Sequence, residues 1–277
     1  MATQAEKAIR FRALHQRNRA FVMPNPWDAG SARLLAGLGF EALATTSSGF
    51  ANTLGRRDGE VSLAECVDHC RELCAATDLP VSVDLENGFG DSPAAVAEAI
   101  ARVAEVGVVG GSIEDWSGGS AGRIYSQTEA VERVQAAVEA VRSLPFPFTL
   151  TARAENLLHG RQYLDDTIRR LQAFEAAGAD VLYAPGLRTL DEVKAVTGSL
   201  EGPVNVLAPM VAGATVADLA AAGARRLSVG GALARAAQTA LLAAGRELVS
   251  AGGFGWCAAL ADGDELDDLL AGGPDAD

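Results

Sequence analysis

Residues 81–90, Val81-Ser82-Val83-Asp84-Leu85-Glu86-Asn87-Gly88-Phe89-Gly90, pass from a short β-rich run through two acids into a glycine-rich turn. The spacing predicts a strand over Val81–Asp84. Alternate positions of an extended chain face the same side, so Asp84 and Glu86 can aim at one pocket as the strand leaves the sheet. Upstream lies an amphipathic helical pattern, Leu63–Ala76. Downstream comes another, Pro93–Glu105, and then an apolar, glycine-rich run, Val108–Glu114, that again ends in acids, Glu114 and Asp115. Strand, acid-bearing turn, helix and strand in that order is the pattern of a βα unit in a parallel sheet.

Carried along the chain, the hydrophobic periods predict strands at Phe21–Met23, Ala42–Thr45, Val81–Asp84, Val108–Glu114, Phe148–Arg153, Val181–Ala184, Val204–Leu207 and Arg225–Val229. Helices are predicted near Trp27–Leu38, Leu63–Ala76, Pro93–Glu105, Gln127–Ser143, Leu164–Ala177, Leu190–Thr197, Val216–Ala222 and Ala232–Ser250. Eight such units predict an α/β fold, a closed (β/α)8 TIM-type barrel, as a single domain over residues 1–277 with a helix before the first strand. Glycines recur where helices end, at 36–39, 105–107, 177–180 and 222–225, and mark αβ joints. Residues 241–277 are expected as a C-terminal helical extension, irregular after Gly252 and then acidic, with Gly272–Asp277 mobile. The long Gly/Ser-rich loops Thr46–Val61 and Asp115–Ser126 are expected as lids on the face where barrel enzymes carry their sites.

Composition sets the broad class. Hydrophobic residues make up 49% and charged ones 21%, enough apolar material for a large core and the mix of a soluble globular protein. A net charge of -13 and a pI near 4.7 repel phosphate backbones and anionic headgroups, which argues against nucleic acid as a partner. The first sixteen residues are charged and helical in pattern, and no apolar run approaches the ~20 residues of a membrane span, so no membrane association and a cytoplasmic location are expected. Cys66, Cys70 and Cys74, with His69 among them, recur every four residues along one side of a helix; that reads as small buried residues, because a structural zinc site draws its thiolates from a tight turn and a second cluster.

Acids at the ends of adjacent strands are the chemical signal. Asp84 and Glu86 suit a hard cation that keeps most of its waters, with helix capping or a surface turn as the alternative. Glu114 and Asp115 emerge from a buried strand, where a carboxylate is either paired or functional. Arg153 ends the fifth strand in Thr151-Ala152-Arg153-Ala154-Glu155-Asn156; it can grip a carboxylate through two parallel hydrogen bonds, and pairing with Glu155 or Glu114 is the competing account. His159 stands in the following loop, where a lone histidine is more often solvated than catalytic. The turn Thr45-Thr46-Ser47-Ser48-Gly49 offers backbone amides to an oxyanion.

Five ordered motifs then resemble one family: Asn25-Pro26-Trp27-Asp28-Ala29-Gly30-Ser31-Ala32; the Thr/Ser/Gly turn leading to Leu54-Gly55 and Asp58-Gly59-Glu60; residues 83–90; Ile113-Glu114-Asp115; and Ala152-Arg153. Over about residues 10–240 the chain resembles the isocitrate lyase/phosphoenolpyruvate mutase superfamily, in its methylisocitrate lyase-like part. The resemblance implies a barrel that binds Mg2+ or Mn2+ and a small 2-oxo or 2-hydroxy acid, and that breaks a C–C or P–C bond beside the carbonyl through an enolate. It implies Asp84 as direct metal ligand with Glu86 and Glu114 in the water shell, Arg153 as carboxylate clamp, Thr46, Ser47 and Ser48 as substrate-binding residues, and Asp58 as the gating-loop acid. It also implies a homo-oligomer, tetramer or dimer, with a C-terminal helix exchanged between barrels. Two departures stand out. The Lys-Lys/Arg-Cys-Gly-His motif of the isocitrate-cleaving lyases is replaced by Trp116-Ser117-Gly118-Gly119-Ser120-Ala121-Gly122-Arg123-Ile124-Tyr125, which leaves Tyr125 or Arg123 to enter the site, and the second acid of the usual Asp-x-Asp pair is Glu86. A lyase acting on a di- or tricarboxylate is the leading expectation. Oxaloacetate-type decarboxylation or hydrolysis, a phosphonopyruvate-type P–C enzyme and a non-catalytic 2-oxo acid binder are the alternatives.

Overall fold

A computed structural model of the chain describes residues 2–119, 121–160 and 163–271. Eight parallel strands form one sheet: β1 (Phe21–Met23), β2 (Leu43–Ala44), β3 (Val81–Asp84), β4 (Gly110–Glu114), β5 (Thr149–Arg153), β6 (Val181–Tyr183), β7 (Val204–Leu207) and β8 (Arg226–Ser228). Their order, β1-β8-β7-β6-β5-β4-β3-β2, brings the first strand against the last in a nearly closed barrel. Between β1 and β2 the ladder gives way to a backbone bond from Ala44 N–H to the Pro24 carbonyl, 3.1 Å, since proline has no N–H to return. Asn25 completes the seam: its Nδ2 donates to the Thr45 carbonyl at 2.9 Å, and its Oδ1 accepts the amides of Val229 and Gly230 at 3.0 and 2.9 Å.

The helices are α1 (Gln4–Gln16), α2 (Ala29–Gly37), α3 (Ser47–Thr53), α4 (Leu63–Ala76), α5 (Pro93–Ala104), α6 (Gln127–Arg142), α7 (Leu164–Ala177), α8 (Leu190–Thr197), α9 (Val216–Ala221), α10 (Ala232–Ala251) and α11 (Gly263–Ala271). Several start on a reciprocal cap, as in Ser62 with Glu65, Ser126 with Glu129 and Thr189 with Glu192, where hydroxyl and carboxylate each accept one of the amides left free at a helix start. Gly107 and Gly178 turn the chain back toward the sheet at φ 104° and 105°, a conformation that a Cβ disfavours.

Side-chain alternation splits the strands into two faces. Val83, Ile113, Leu150, Leu182, Val206 and Leu227 point out and join the core under the helices. Ser82, Asp84, Ser112, Arg153, Asn205 and Arg226 line a cavity inside the barrel. A second apolar cluster closes the amino-terminal end, where Ala8, Phe11 and Leu14 of α1 pack on Phe21, Met23 and Val109. Burying a side chain such as Phe11 stabilises by roughly 2 kcal/mol. Gly110 permits the approach, because a Cβ there would stand 2.6 Å from Phe11 Cε1.

The strand and helix cores fall where the periodicity puts them, with several ends one or two residues shorter, β2 and β4 most clearly. Two expectations need correction. The loop after β2 contains α3, capped by Thr46 Oγ1 accepting Gly49 N–H at 3.3 Å. The segment after Gly252 is not irregular: it holds a 3-10 turn at Gly255–Ala259 and then α11, which lies against α2 of the same chain, with Leu269 over Gly37 and Arg33 Nη1 donating to the Leu270 carbonyl at 3.1 Å. The expected mobility of Gly272–Asp277 lies outside the described residues.

Candidate active site

At the carboxyl ends of the strands a cavity of about 320 Å³ opens between the loops. Its organising group is Arg153, the last residue of β5. In register, Glu114 of β4 lies beside Arg153, and Asp84 of β3 beside Ser112 of β4. The guanidinium is therefore wrapped in acid: Nη1 donates to Asp84 Oδ1 at 2.8 Å, Nη2 reaches Glu114 Oε2 at 3.1 Å, and Nε and Nη2 both contact Glu155 Oε1 at 2.8 Å. Asp84 also accepts the Ser47 hydroxyl on Oδ2 at 3.1 Å, and its N–H donates to Thr45 Oγ1. Both structural pairings weighed for Arg153 are present, and Asp84 is added to them.

Negative charge exceeds positive here. Asp58 lines the cavity beside Ser47, and burial followed by the Asp84 charge pushes its carboxyl up. Glu86 is pushed up to about 7, first by burial and then by Asp84 and Asp58. Burial also raises Glu114 against the opposing pull of Arg153. Five carboxylates thus act on one guanidinium. Glu86 sits at φ 48°, a left-handed conformation that costs a β-carbon residue on the order of 1 kcal/mol and concentrates at functional sites. The loops meet beside it: a Cβ on Gly59 would stand 3.9 Å from Glu86 Oε2 and 4.0 Å from Gly119 N.

The predicted residues separate into three groups. Thr46, Ser47, Ser48, Asp58, Asp84 and Arg153 line the cavity. Glu86 and Glu114 stand beside it, through charge on Asp84 and an ion pair to Arg153 respectively. Tyr125 is a correction: its ring is buried, its hydroxyl donates to Asp91 Oδ1 at 2.5 Å, and the Arg133 guanidinium lies 4.4 Å from the ring centroid. Arg133 in turn bonds the carbonyls of Asn87, Gly90 and Asp91, so Tyr125 braces the loop after β3 from behind. Arg123 is drawn away by a two-pronged pair with Glu129, at 3.0 and 2.8 Å. In the loop after β4, Trp116 is bridged to Ile124 and its ring stacks on His159 at 3.7 Å. Cys66 and Cys70 are buried, burial raises Cys74 to about 12, and among the described residues no group of three His, Cys, Asp or Glu side chains closes around a point.

A family model described as phosphoenolpyruvate phosphomutase matches residues 11–249. The chain belongs to the phosphoenolpyruvate phosphomutase family. A candidate lyase/mutase of Burkholderia cenocepacia J2315, known as a crystal structure, is 54% identical, with 99% of each chain covered and a TM-score of 0.94. A 2-methylisocitrate lyase of Halalkalibacterium halodurans is 30% identical over 73% of this chain and 67% of its own length. An oxaloacetate decarboxylase of Paraburkholderia xenovorans is 30% identical over 70% and 66%. Its relatives in the phosphoenolpyruvate mutase/isocitrate lyase superfamily are thus named as lyases and a decarboxylase.

Three polar side chains of this family member escaped the sequence reading: Tyr183, Asn205 and Arg226, each on the inner face of its strand. Asn205 Nδ2 donates to Ser228 Oγ at 2.9 Å, Ser228 bonds the Tyr183 hydroxyl, and the Tyr183 ring centroid lies 5.2 Å from the Arg153 guanidinium carbon. The signal was present as polar residues at alternate positions of apolar strands, Asn205 between Val204 and Val206 above all.

Proposed function

We propose that this enzyme breaks the C–C bond next to the carbonyl of a small 2-oxo or 2-hydroxy di- or tricarboxylate, through an enolate and with a hydrated divalent cation, Mg2+ or Mn2+. The observation that carries the reading is the single guanidinium of Arg153 set among five carboxylates at the active face of the barrel. The donors are hard oxygens, and their mutual repulsion is what a small dication relieves. Because no three of them converge, binding through few carboxylates and several waters suits the site, with Asp84 as direct ligand and Glu86 and Glu114 acting through water. When bound, the ion supplies Lewis acidity toward charge gathering on the substrate's carbonyl oxygen.

The chain's own groups do the rest. Arg153, anchored on its Nε edge by Glu155, orients a substrate carboxylate and remains charged throughout. Ser47 and Ser48 present amides of the first turn of α3, which have no partner within the helix. Asp58, on the loop that meets the lid, holds or releases a proton near the reacting carbon. The lid turns Arg123 toward Glu129 and Tyr125 toward Asp91. That observation favours a second reading, oxaloacetate-type decarboxylation, in which CO2 leaves and the enolate takes its proton from water.

A panel of 2-oxo and 2-hydroxy acids assayed with Mg2+, with Mn2+ and with chelator tests the assignment. Turnover should vanish with chelator, return with metal, and fall by roughly 10²–10³-fold in Asp84→Ala and Arg153→Gln. Full activity in excess chelator overturns the metal. Phosphate release from phosphonopyruvate would move the assignment to P–C chemistry, and tight binding without turnover across the panel would mark a binding protein.

A further inference from the structure

Three arginines line the cavity, Arg153, Arg226 and Arg235, and the two that rise from the strands, Arg153 and Arg226, have opposite surroundings. Arg153 contacts three carboxylates. Arg226, the first residue of β8, is 3% exposed and has neutral partners: Nε donates to Asn205 Oδ1 at 2.9 Å, Nη2 to Thr151 Oγ1 at 3.0 Å, and Nη1 faces His15 Nε2 at 3.4 Å. His15 Nδ1 lies 2.9 Å from the Phe11 carbonyl, so that nitrogen carries the proton and Nε2 presents its lone pair to the arginine. Three of the five guanidinium N–H groups are thereby occupied, and among the described residues no carboxylate stands within ion-pair distance of Arg226.

A buried cation without a counter-charge is costly, and proteins keep one where a ligand completes it. Burial, together with the Arg153 charge, holds the Arg226 guanidinium down to about 9. The wall between the two arginines is continuous: from Arg226 the hydrogen bonds run through Asn205 and Ser228 to Tyr183, whose ring lies against Arg153, and all of these line the one cavity. The acids gather at the strand ends, while the uncompensated positive charge lies deeper, over the floor closed by α1.

We propose that Arg226 is an anion-binding residue of the barrel interior that takes the second carboxylate of a dicarboxylate substrate whose 2-oxo or 2-hydroxy acid end lies at Asp84 and Arg153. The assignment rests on the reading of the site given above. It makes Arg226 the residue that selects C3–C4 dicarboxylates over monocarboxylates: the distal carboxylate supplies the charge that the protein omits, and Asn205 and Ser228 stand beside it as hydrogen-bonding neighbours.

Thermal unfolding and calorimetric titration of the full chain with Mg2+, using oxalate, pyruvate, malonate and malate as probes, test this in the wild type, R226Q and R226K. Malonate and malate should raise the wild-type melting temperature. Ligand-free R226Q should melt at or above the wild type, because an uncompensated charge has been removed. Its malate affinity should fall on the order of 10²-fold while oxalate and pyruvate stay within about twofold, with R226K in between. A lowered ligand-free melting point with all four affinities falling together marks a structural arginine and overturns the proposal; so does unchanged malate affinity, or a wild type that binds no dicarboxylate. If R226Q does not fold, the malate-to-oxalate ratio of R226K decides, and an unchanged ratio overturns it. Malate binding that depends on Arg226, in a protein that ignores oxalate and chelator, would sink the metal-dependent reading and leave Arg226 as assigned.

Discussion

At the scale of single residues, several buried polar groups hold this barrel in register, and each makes a measurable claim. Asn25 spends both ends of its carboxamide on three backbone groups just past the ends of β2 and β8. Replacing it with Leu leaves those groups without partners in a dry seam, so Asn25→Leu should lose about 2–4 kcal/mol in urea denaturation. His15 is held near 3 by burial and by the charge of Arg226, and His69, stacked on Phe50, near 4 by burial. In the unfolded chain each titrates near 6.5. Between those values the unfolded state binds a proton that the native state refuses, so stability falls as pH drops from about 6.5 toward 3–4, by up to about 1.4 kcal/mol per pH unit for each histidine. His15→Gln should flatten that acid limb by up to one histidine's share, seen in denaturation midpoints between pH 7 and 4. The candidate site was legible at this scale because acids at strand ends are a local signal. Pairing of Arg153 with Glu114 or Glu155 was legible as well; its contact with Asp84, 69 residues away, was not.

At the scale of elements, the amino-terminal helix is a plug as much as a leader to β1. Phe11 rests on Gly110, with 2.6 Å between Cε1 and the place a Cβ would occupy. The Thr149 carbonyl, 3.0 Å from that place, blocks the other direction. Gly110→Ala should therefore destabilise by roughly 1–3 kcal/mol through overpacking, and loosen α1 in hydrogen exchange before the rest of the barrel. Protection of α1 equal to that of the wild type would count against this account. The same scale explains the two misread segments. Helix α3 is short and carries Ser-Ser-Gly in place of an apolar stripe, so a cap and tertiary contacts decide it. Helix α11 is acidic and brief, and its Leu269 and Leu270 acquire meaning only against α2.

At the scale of the molecule, α10 leaves an apolar stripe in the open. Leu241 and Leu248 lie seven residues apart, as do Leu242 and Val249, so each pair shares a helix face; Leu241 is 72% and Val249 91% exposed, and Phe254 and Leu260 follow. Such a surface on a chain of net charge -13 points to self-association. We expect a dimer or tetramer by light scattering, and Leu242→Glu should shift it toward monomer with the barrel's circular dichroism intact. A monomeric wild type at micromolar concentration refutes this. Among the described residues no helix is long and apolar enough to cross a membrane.

The chain order of eight βα units, the helix starts, the glycine joints and the acids that leave β3 and β4 were fixed by residues close together in sequence, because propensity, capping and side-chain period act over a few positions. Folding alone decided that Tyr125 braces a loop while Tyr183 lines the cavity. Folding alone also surrounded Arg153 with carboxylates and left Arg226, 75 residues from Thr151 and 211 from His15, with neutral neighbours. Charge compensation is a through-space quantity, and no spacing along the chain encodes which groups a closed barrel will bring within 3 Å.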